Sequence, residues 1–543
     1  MPVPHFDAEA IRAATPWPGL IAAIREGFQR PHVAPDRHIH EIAVPGTEAA
    51  TALLMPAWIE GDIYGVKLAN IFPGNGALGL PAIASLYVAF DGRTGALRAT
   101  MDGGALTVRR TAATSALASS YLSRPDSSTL LVLGAGRMAP MLIAAHRAVR
   151  PITRTLIWAR DGKEVADFIL TLAKERGVKM LVKSKSMTTE EIHLNDHLEH
   201  HGIDPVETDL GEYIIQLAHD RPYHIVAPAV HMTRQDVADV LEKNLKLPRE
   251  EEPEKQAMIA RHTLRAKFLA AGIGISGGNF LVADSGAVTI IENEGNARLT
   301  TSAPKIHIAV VGIEKMIPRA QDLAVFLKLL GRSGTGQLLT VYTSFLSGPR
   351  RAGDADGPEE FYVVLMDNGR TRLLADAEKR QSLYCIRCGA CLNACPVYRK
   401  IGGHNYPGAY SGPIGAIITP QYHGIKENPW LPFASSLCGA CAEVCPVKID
   451  IPKILLELRR EVVESRANDS DSFTERKAFQ MYAWMMRRPK LFALAGRIGA
   501  KFAGLPGLTS FGPMAKWAKT RDVPMPAAKS FRDQWRDRKK AAQ

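Results

Sequence analysis

The sequence predicts a multidomain protein in which α/β layers precede an α-helical module. Three observations support this fold class. A buried-strand run leads through a glycine-rich turn into a helix near residue 134, helices alternate with β-branched runs over residues 165–345, and all seven cysteines lie between residues 385 and 445. At 543 residues, the chain is long enough for about three or four domains.

Composition narrows the possible classes of protein. With 46% hydrophobic and 22% charged residues, the chain resembles an ordinary soluble globular protein. Its first residues contain no basic segment followed by an apolar core, so we expect no signal peptide. No apolar run is long enough to predict a spanning helix. Seven cysteines confined to one stretch favour a reducing cytoplasm.

The net charge of +12 is concentrated at the C-terminus, where residues 487–543 hold 14 Lys or Arg against three Asp. The rest of the chain is close to neutral, so we predict no nucleic-acid partner. In the tail, which we assign to residues 471–543, Trp484, Phe492 and Phe502 alternate with basic residues. Such a pattern suits either peripheral contact with an anionic membrane or packing on a partner subunit.

The first chemical motif follows a predicted strand, Thr129–Leu133. It reads Gly134-Ala-Gly136-Arg-Met-Ala139 and leads into a helical pattern, after which a second strand ends at Ala159. In a dinucleotide fingerprint the first glycine makes the turn, the second lets the backbone approach pyrophosphate, and the small third residue packs the helix on the strand. The segment therefore predicts one βαβ unit.

Residues 1–160 resemble the ornithine cyclodeaminase and mu-crystallin family. The resemblance is carried by Gly65-Val-Lys67-Leu, by Leu106-Thr-Val-Arg-Arg110-Thr-Ala-Ala113 and by the glycine-rich turn. It implies that Lys67 lies beside the amino-bearing carbon of a substrate and that Arg110 pairs with the substrate carboxylate. A bidentate arginine suits a carboxylate, and a desolvated lysine suits acid/base work.

That resemblance stops near Arg160, before the second mononucleotide half and the family's catalytic aspartate. A complete dinucleotide fold needs both halves. We therefore expect residues 1–160 to form a truncated Rossmann-like piece that does not hold NAD firmly at Gly134, Gly136 and Ala139. An NAD-dependent cyclodeaminase remains the alternative function, and a fusion with an inactive N-terminal segment is another.

Residues 161–372 are predicted to form an α/β domain, because helices alternate there with continuous β-branched runs such as Val288–Ile291 and Ile306–Val311. The motifs of this part of the chain include Val182-Lys-Ser-Lys-Ser-Met187, Gly277-Gly-Asn-Phe280 and Glu292-Asn-Glu-Gly295. With them, the chain from about residue 161 to the C-terminus resembles the lactate utilization protein B family. The resemblance implies a LUD domain, similar to the NagB, RpiA and CoA-transferase folds.

This α/β domain contains ten polar candidates for a small-molecule site. Paired basic and acidic groups near glycine-rich turns suit an anionic ligand such as a phosphate-bearing cofactor. The alternative is a structural role in buried hydrogen bonds and solvated charge pairs. The candidates are Lys183, Lys185, Glu207, Asp209, His224, His231, Asn279, Asp284, Glu292 and Glu294.

Residues 373–470 contain the cysteines in two runs, CxxCxxCxxxCP from Cys385 and CxxCxxxCP from Cys438. This is the bacterial ferredoxin spacing for cubane iron–sulfur clusters, in which the last cysteine of each run ligates the other cluster. One cluster would then be held by Cys385, Cys388, Cys391 and Cys445, and the other by Cys395, Cys438 and Cys441.

The second ligand set lacks one thiolate, since Ser435 occupies the position three residues before Cys438. A non-cysteine group or solvent completes that cluster, or it is a three-iron form. A zinc site or unligated thiols are the other possibilities, but zinc sites usually show wider spacing and no paired Cys-Pro ends. The long segment between the runs makes the module similar to the helical ferredoxin domains of respiratory complexes.

The sequence therefore predicts a cytoplasmic electron-transfer protein with two iron–sulfur clusters. The family resemblance implies a role in oxidising L-lactate to pyruvate together with partner oxidoreductase subunits. Clusters carry single electrons, so the two-electron chemistry of the substrate would take place on a partner or another cofactor.

Overall fold

The computed structural model describes residues 3–466, 473–502, 515, 518–519, 527 and 529–542. The chain divides into two compact units, Met1–Arg459 and Arg460–Gln543. The predicted boundary between residues 470 and 471 lies outside the described residues.

Seventeen strands are found in the described part of the chain. They are β1 (His5–Phe6), β2 (His38–Ile42), β3 (Ala50–Ile59), β4 (Ile63–Ile71), β5 (Ile83–Asp91), β6 (Leu97–Asp102), β7 (Thr129–Leu133), β8 (Arg154–Ala159), β9 (Met180–Lys183), β10 (Asp204–Glu207), β11 (Ile273–Ser276), β12 (Phe280–Val282), β13 (Ala287–Glu292), β14 (Ile306–Gly312), β15 (Met316–Ile317), β16 (Tyr342–Leu346) and β17 (Glu360–Met366).

The α-helices, apart from short 3₁₀ turns, are α1 (Ala8–Ala14), α2 (Trp17–Gln29), α3 (Gly103–Leu122), α4 (Ala139–Arg147), α5 (Gly162–Glu175), α6 (Met187–Glu191), α7 (Leu194–His200), α8 (Leu210–Ala218), α9 (Arg234–Leu245), α10 (Pro253–Ala270), α11 (Asn296–Ser302), α12 (Leu323–Gly334), α13 (Arg370–Ala375), α14 (Ala390–Ala394), α15 (Tyr398–Ile401), α16 (Gly412–His423), α17 (Ala440–Glu443), α18 (Ile451–Ser465), α19 (Phe473–Met486), α20 (Pro489–Phe502) and α21 (Phe531–Ala541).

The N-terminal sheet has six strands in the order β1-β6-β5-β4-β3-β2, antiparallel except for the β1–β6 pair. Helix α3 begins after Asp102, whose carboxylate accepts a hydrogen bond from the Ala105 amide. Its buried alanines, among them Ala112 and Ala116, pack in one core with Ile21 of α2 and Met141 of α4. Small side chains thus let three helices approach closely.

A second sheet contains strands from both sides of the predicted domain boundary at residue 160. Its seven strands are all parallel, in the order β10-β9-β11-β14-β17-β8-β7. Strands β7 and β8 of the predicted βαβ unit form one edge, and β8 pairs with β17, which lies about 200 residues later in the sequence. Val132 and Ile157 accordingly share one core with Phe168 and Ile308. The βαβ unit is therefore continued by the α/β domain.

The remaining sheet covers part of this layer with four strands in the order β15-β12-β13-β16. Leu281 and Val288 from it pack on Val311 and Phe361 of the parallel sheet. Beyond β17 the chain becomes helical, and the core of the cysteine-rich module is formed by α14–α18 together with Ile225 from the α/β domain. The α/β layer and this module thus share buried contacts.

The C-terminal unit is helical in its described residues, with α19, α20 and α21 as its complete helices. Helix α21 begins after Ser530, whose hydroxyl accepts from the Asp533 amide, and Asp533 pairs with Arg497 of α20 at 2.6 Å. Trp484 and Phe502 are exposed. No helix in the described parts of the chain is both long and apolar enough to cross a membrane.

The shared core predicts a large effect from a substitution in β8. Ile157 is fully buried, so Ile157→Ala should lower the free energy of unfolding by about 2–5 kcal/mol. Leu131→Ala in the neighbouring β7 is the control, since that side chain is 57% exposed and a change of about 0.5 kcal/mol or less is expected. Urea denaturation followed by circular dichroism measures both. Equal effects would contradict a common core for β8 and the α/β layer.

Candidate metal centre and adjoining cavity

The two cysteine runs adopt the same local backbone. In each run the residue before Cys-Gly-Ala-Cys has positive φ, 63° at Arg387 and 56° at Leu437. The glycine that follows the cysteine is also left-handed, with φ of 76° at Gly389 and 86° at Gly439. These turns start the short helices α14 and α17, which carry Cys391 and Cys441. The shared backbone makes the two runs structurally equivalent.

Four of the cysteines surround one small cavity. It is lined by Cys385, Cys388 and Cys391 from the first run and by Cys445 from the second. Ile386, Arg387, Ile414 and Ile449 are among the residues that complete the wall. The structure thus brings the four cysteines of the first predicted ligand set around one space, and their assignment to one cluster remains a prediction.

The other three cysteines belong to the same helical module. Cys395 and Cys441 are buried and share its core, whereas Cys438 is exposed. The hydroxyl of Ser435 accepts a hydrogen bond from the Leu437 amide at 3.1 Å. The assignment of these three cysteines to a second cluster remains a prediction, and so does the identity of its fourth ligand.

Backbone amides are directed at three of the sulfur atoms. The amides of Arg387, Tyr398 and Ile449 each lie 3.4 Å from a sulfur atom, those of Cys385, Cys395 and Cys445 respectively. Hydrogen bonds of this kind stabilise thiolate charge and tune the potential of a bound cluster. The donor set thus fits an iron–sulfur group.

Binding of a metal by the buried thiols would displace their protons. Burial raises the pKa of Cys388 to about 11 and that of Cys441 to about 11. Both would remain protonated at neutral pH unless a metal replaced the proton. All seven cysteines are free of disulfides. Soft thiolate ligands select iron–sulfur clusters, zinc or copper(I), and the ferredoxin spacing favours the first of these.

A buried ion-pair network joins the cysteine module to the α/β layer. The guanidinium of Arg370, which is fully buried, donates to both oxygens of Glu191 at 2.9 and 2.8 Å and to Glu314 at 2.5 Å. Tyr410 of the module donates to Glu191 at 2.6 Å. Burial alone would raise the pKa of Glu314, but Arg370, with help from Lys315 and Arg387, holds it at about 2. Glu314 is therefore ionised at neutral pH.

A larger cavity of about 290 Å³ lies beside the first cysteine run. It is located where strands of the parallel sheet end, because its wall includes Lys185 after β9, Asp209 after β10, Gly277 after β11 and Lys315 after β14. Ligands of open α/β sheets bind outside these carboxyl ends. On the other side the wall is Ile386, Arg387 and Cys388. A cysteine of the first cluster set thus faces a cavity of the α/β domain.

Five of the ten polar candidates line this cavity, namely Lys185, Asp209, Asn279, Glu292 and Glu294. Lys183 and Glu207 lie in an ion pair of 2.6 Å in which both side chains are buried, and so have a structural role. His224, His231 and Asp284 do not line the cavity. The sequence reasoning missed Lys315 and Arg387, although Lys315 follows a buried strand by three residues.

His231 instead belongs to a small polar cluster with Asp220 and His404. The ligand atoms of the three side chains lie within 4.8 Å of one another. His231 contacts Asp220 at 2.9 Å, and His404 contacts the Arg221 carbonyl at 2.7 Å. His404 belongs to the cysteine module, so this cluster is a second polar link between the module and the α/β domain.

In the N-terminal module, Lys67 of β4 donates to the hydroxyl of Thr107 on α3 at 2.6 Å. Burial lowers the pKa of Lys67, and the positive charge of Arg110 lowers it further. The two predicted catalytic residues are therefore close together. Gly134 has φ of 102°, and its amide donates to Trp158 of β8 at 2.8 Å, so the predicted turn follows β7 directly. Ala139 is buried at the start of α4.

Four family models match the chain. They are the ornithine cyclodeaminase/mu-crystallin family over residues 9–193, the LUD domain over residues 148–366, the 4Fe-4S dicluster domain over residues 381–449 and lactate utilisation protein B, C-terminal, over residues 457–540. The matches to the ornithine cyclodeaminase/mu-crystallin family and to the LUD domain overlap over residues 148–193. This overlap includes the predicted boundary at residue 160.

Curated relatives match over most of their length. Lactate utilization protein B of Bacillus velezensis is 44% identical over 396 residues, which cover 71% of this chain and 82% of that protein. The protein of the same name from Bacillus subtilis is 44% identical over 394 residues, 70% of this chain and 80% of the relative. The uncharacterized electron transport protein YkgF of Escherichia coli is 44% identical over 380 residues, which cover 69% of this chain and 79% of that protein.

The buried network gives a testable prediction for Arg370. Arg370→Ala would leave Glu191 and Glu314 buried without their partner and should lower the free energy of unfolding by about 3–5 kcal/mol. Arg160→Ala is the control. The Arg160 side chain pairs with Asp161 and Glu164 but is 69% exposed, so its removal should change the free energy of unfolding by about 1 kcal/mol or less. Urea denaturation compares the two variants. An equally small loss in Arg370→Ala would contradict the proposed importance of the network.

Proposed function

The chain belongs to the lactate utilization protein B family, and from this premise we propose that it transfers electrons through two iron–sulfur clusters as a subunit of an L-lactate oxidation complex. It is an iron–sulfur protein of a lactate utilization system. Its role in the oxidation of lactate to pyruvate and the identity of the other subunits are part of the proposal.

The observation that best supports the proposal is the cavity lined by Cys385, Cys388, Cys391 and Cys445. These four residues would hold the first cluster, and Cys395, Cys438 and Cys441 would hold the second. A bound cluster supplies one-electron transfer. The wall around the first set is mostly apolar, and the amide donors would stabilise the negative charge of the thiolates.

Electron transfer by single electrons implies partners that complete the two-electron oxidation. We propose that partner oxidoreductase subunits of the lactate utilization system do this in the cytoplasm. The exposed aromatic side chains of the C-terminal unit, including Trp484 and Phe502, support a contact surface for such a subunit or for an anionic membrane. Net positive charge in the same unit favours either of these surfaces.

A second candidate function rests on the proximity of Lys67 and Arg110. These two side chains suit an amino acid substrate of a cyclodeaminase. However, β8 lies between β7 and β17, and β17 belongs to the α/β domain. The sheet that contains the glycine turn at Gly134 is therefore continued by the α/β domain and not by the second half of a dinucleotide fold. We therefore propose iron–sulfur electron transfer as the main activity.

The ligand assignment predicts a specific loss of iron. Cys388→Ala should remove the fully thiolate-ligated cluster and reduce the iron content of the anaerobically reconstituted protein by about half. Ser435→Cys should be tolerated and should retain the full iron content, since it adds a thiolate at the missing position. Colorimetric iron and sulfide assays on the purified proteins measure both. Unchanged iron in Cys388→Ala would contradict the assignment.

The second candidate function is tested separately. We expect no ammonia release when the protein is incubated with ornithine and NAD, because the dinucleotide fold is not continued after β8. A glutamate dehydrogenase-coupled assay measures ammonia directly. Ammonia release by the intact chain that disappears in Lys67→Ala would assign cyclodeaminase activity to the N-terminal module instead.

A further inference from the structure

Ser435 occupies in the second cysteine run the position that Cys385 occupies in the first. Each residue lies three positions before a Cys-Gly-Ala-Cys segment. A short 3₁₀ turn ends within two residues before each of them, at Tyr384 in the first run and at Phe433 in the second. Two positions after each, the backbone is left-handed. The local backbone that presents a predicted cluster ligand is therefore repeated at Ser435.

The side chains of Cys385 and Ser435 accept the same hydrogen bond. The Arg387 amide donates to the sulfur of Cys385 at 3.4 Å, and the Leu437 amide donates to the hydroxyl oxygen of Ser435 at 3.1 Å. A hydroxyl oxygen has two lone pairs, so this bond leaves one of them for a metal ion. The Ser435 oxygen is thus bonded as the sulfur of a predicted ligand is bonded.

The backbone carbonyls of the two residues also have equivalent partners. The carbonyl of Cys385 accepts from the Lys315 ammonium at 3.1 Å, and that of Ser435 accepts from the Arg459 guanidinium at 3.1 Å. Arg459 donates in addition to the Pro432 carbonyl at 2.8 Å. Two bonds from one guanidinium hold the backbone that carries Ser435, and a held backbone is what a metal ligand requires.

We propose that the hydroxyl oxygen of Ser435 is the fourth ligand of the second cluster, where it completes a four-iron site with Cys395, Cys438 and Cys441. The inference rests on the proposed function and names the ligand that the cysteine spacing leaves open. Serine binds iron as an alkoxide, so the hydroxyl proton passes to solvent as the oxygen–iron bond forms. Solvent is at hand to accept it, because Ser435 is half-buried and Cys438 is exposed.

Two other groups compete for this position. Tyr406 is buried in the same core as Cys395 and Cys441, and its hydroxyl has no hydrogen-bond partner among the described residues. It belongs, however, to the segment between the two runs and not to a turn that matches that of Cys385. Solvent is the other competitor, since Cys438 is exposed. Ser435 is favoured over both because its backbone and hydrogen bonds are those of a cysteine ligand.

The test is electron–nuclear double resonance of the anaerobically reconstituted and reduced protein in water enriched in oxygen-17. The serine oxygen does not exchange with water, so we expect no strong oxygen-17 coupling in the unmodified protein and no three-iron signal after oxidation. Strong coupling would make solvent the ligand, and a three-iron signal would show that the fourth position is empty. Either result would overturn the inference, whether or not a variant folds.

Variants at Ser435 give a second readout. Ser435→Ala should lose about one iron per chain and show a three-iron signal, or gain strong oxygen-17 coupling as solvent replaces the hydroxyl. Ser435→Cys should retain its iron and shift the reduction potential of the second cluster, because a thiolate replaces an oxygen ligand. An unchanged potential in Ser435→Cys would contradict the proposal.

Two controls separate Ser435 from its neighbours. Ser436→Ala makes the same change at the adjacent, exposed serine and should retain all iron, and so should Tyr406→Phe. Identical iron content and spectra in Ser435→Ala and Ser436→Ala, or loss of one iron in Tyr406→Phe, would overturn the inference. These outcomes leave a protein that still contains clusters, whereas a reconstituted chain without any iron would contradict the proposed function itself.

Discussion

The buried guanidinium of Arg370 is the interaction on which the arrangement of the molecule depends. It contacts Glu191 at the end of α6, Glu314 after β14 and, through Glu191, the hydroxyl of Tyr410 in the cysteine module. Burying these charges is unfavourable unless all of them are paired and hydrogen-bonded, so the network tolerates one geometry. It thereby fixes the cysteine module on the carboxyl ends of the parallel strands.

Because the cysteine module lies at the carboxyl ends of the parallel strands, one of its loops lines two different cavities. The segment from Cys385 to Cys388 provides thiols to the cysteine-lined cavity and, through Ile386, Arg387 and Cys388, a wall to the larger cavity. The carbonyl of Cys385 also accepts from Lys315, which follows β14. The cysteine-lined cavity and the larger cavity are therefore adjacent.

Individual strands and helices could be predicted from the sequence, whereas the pairing of strands that are distant in the sequence could not. The predicted strands Thr129–Leu133, Val288–Ile291 and Ile306–Val311 are all confirmed, because each depends on neighbouring residues. The pairing of β8 with β17 could not be predicted, since nothing in either strand specifies a partner so distant. Lys183 and Glu207 were predicted as ligand candidates but bind each other, and Lys315 gained its role only from the folded arrangement.

Low-temperature electron paramagnetic resonance of the reconstituted chain, oxidised and then reduced with dithionite, tests the central claim most directly. We expect signals from two clusters in the reduced protein, with a three-iron signal in the oxidised protein if the second ligand set lacks a fourth ligand. Spectra without any iron–sulfur signal, from protein in which the seven cysteines are reduced and intact, would contradict it.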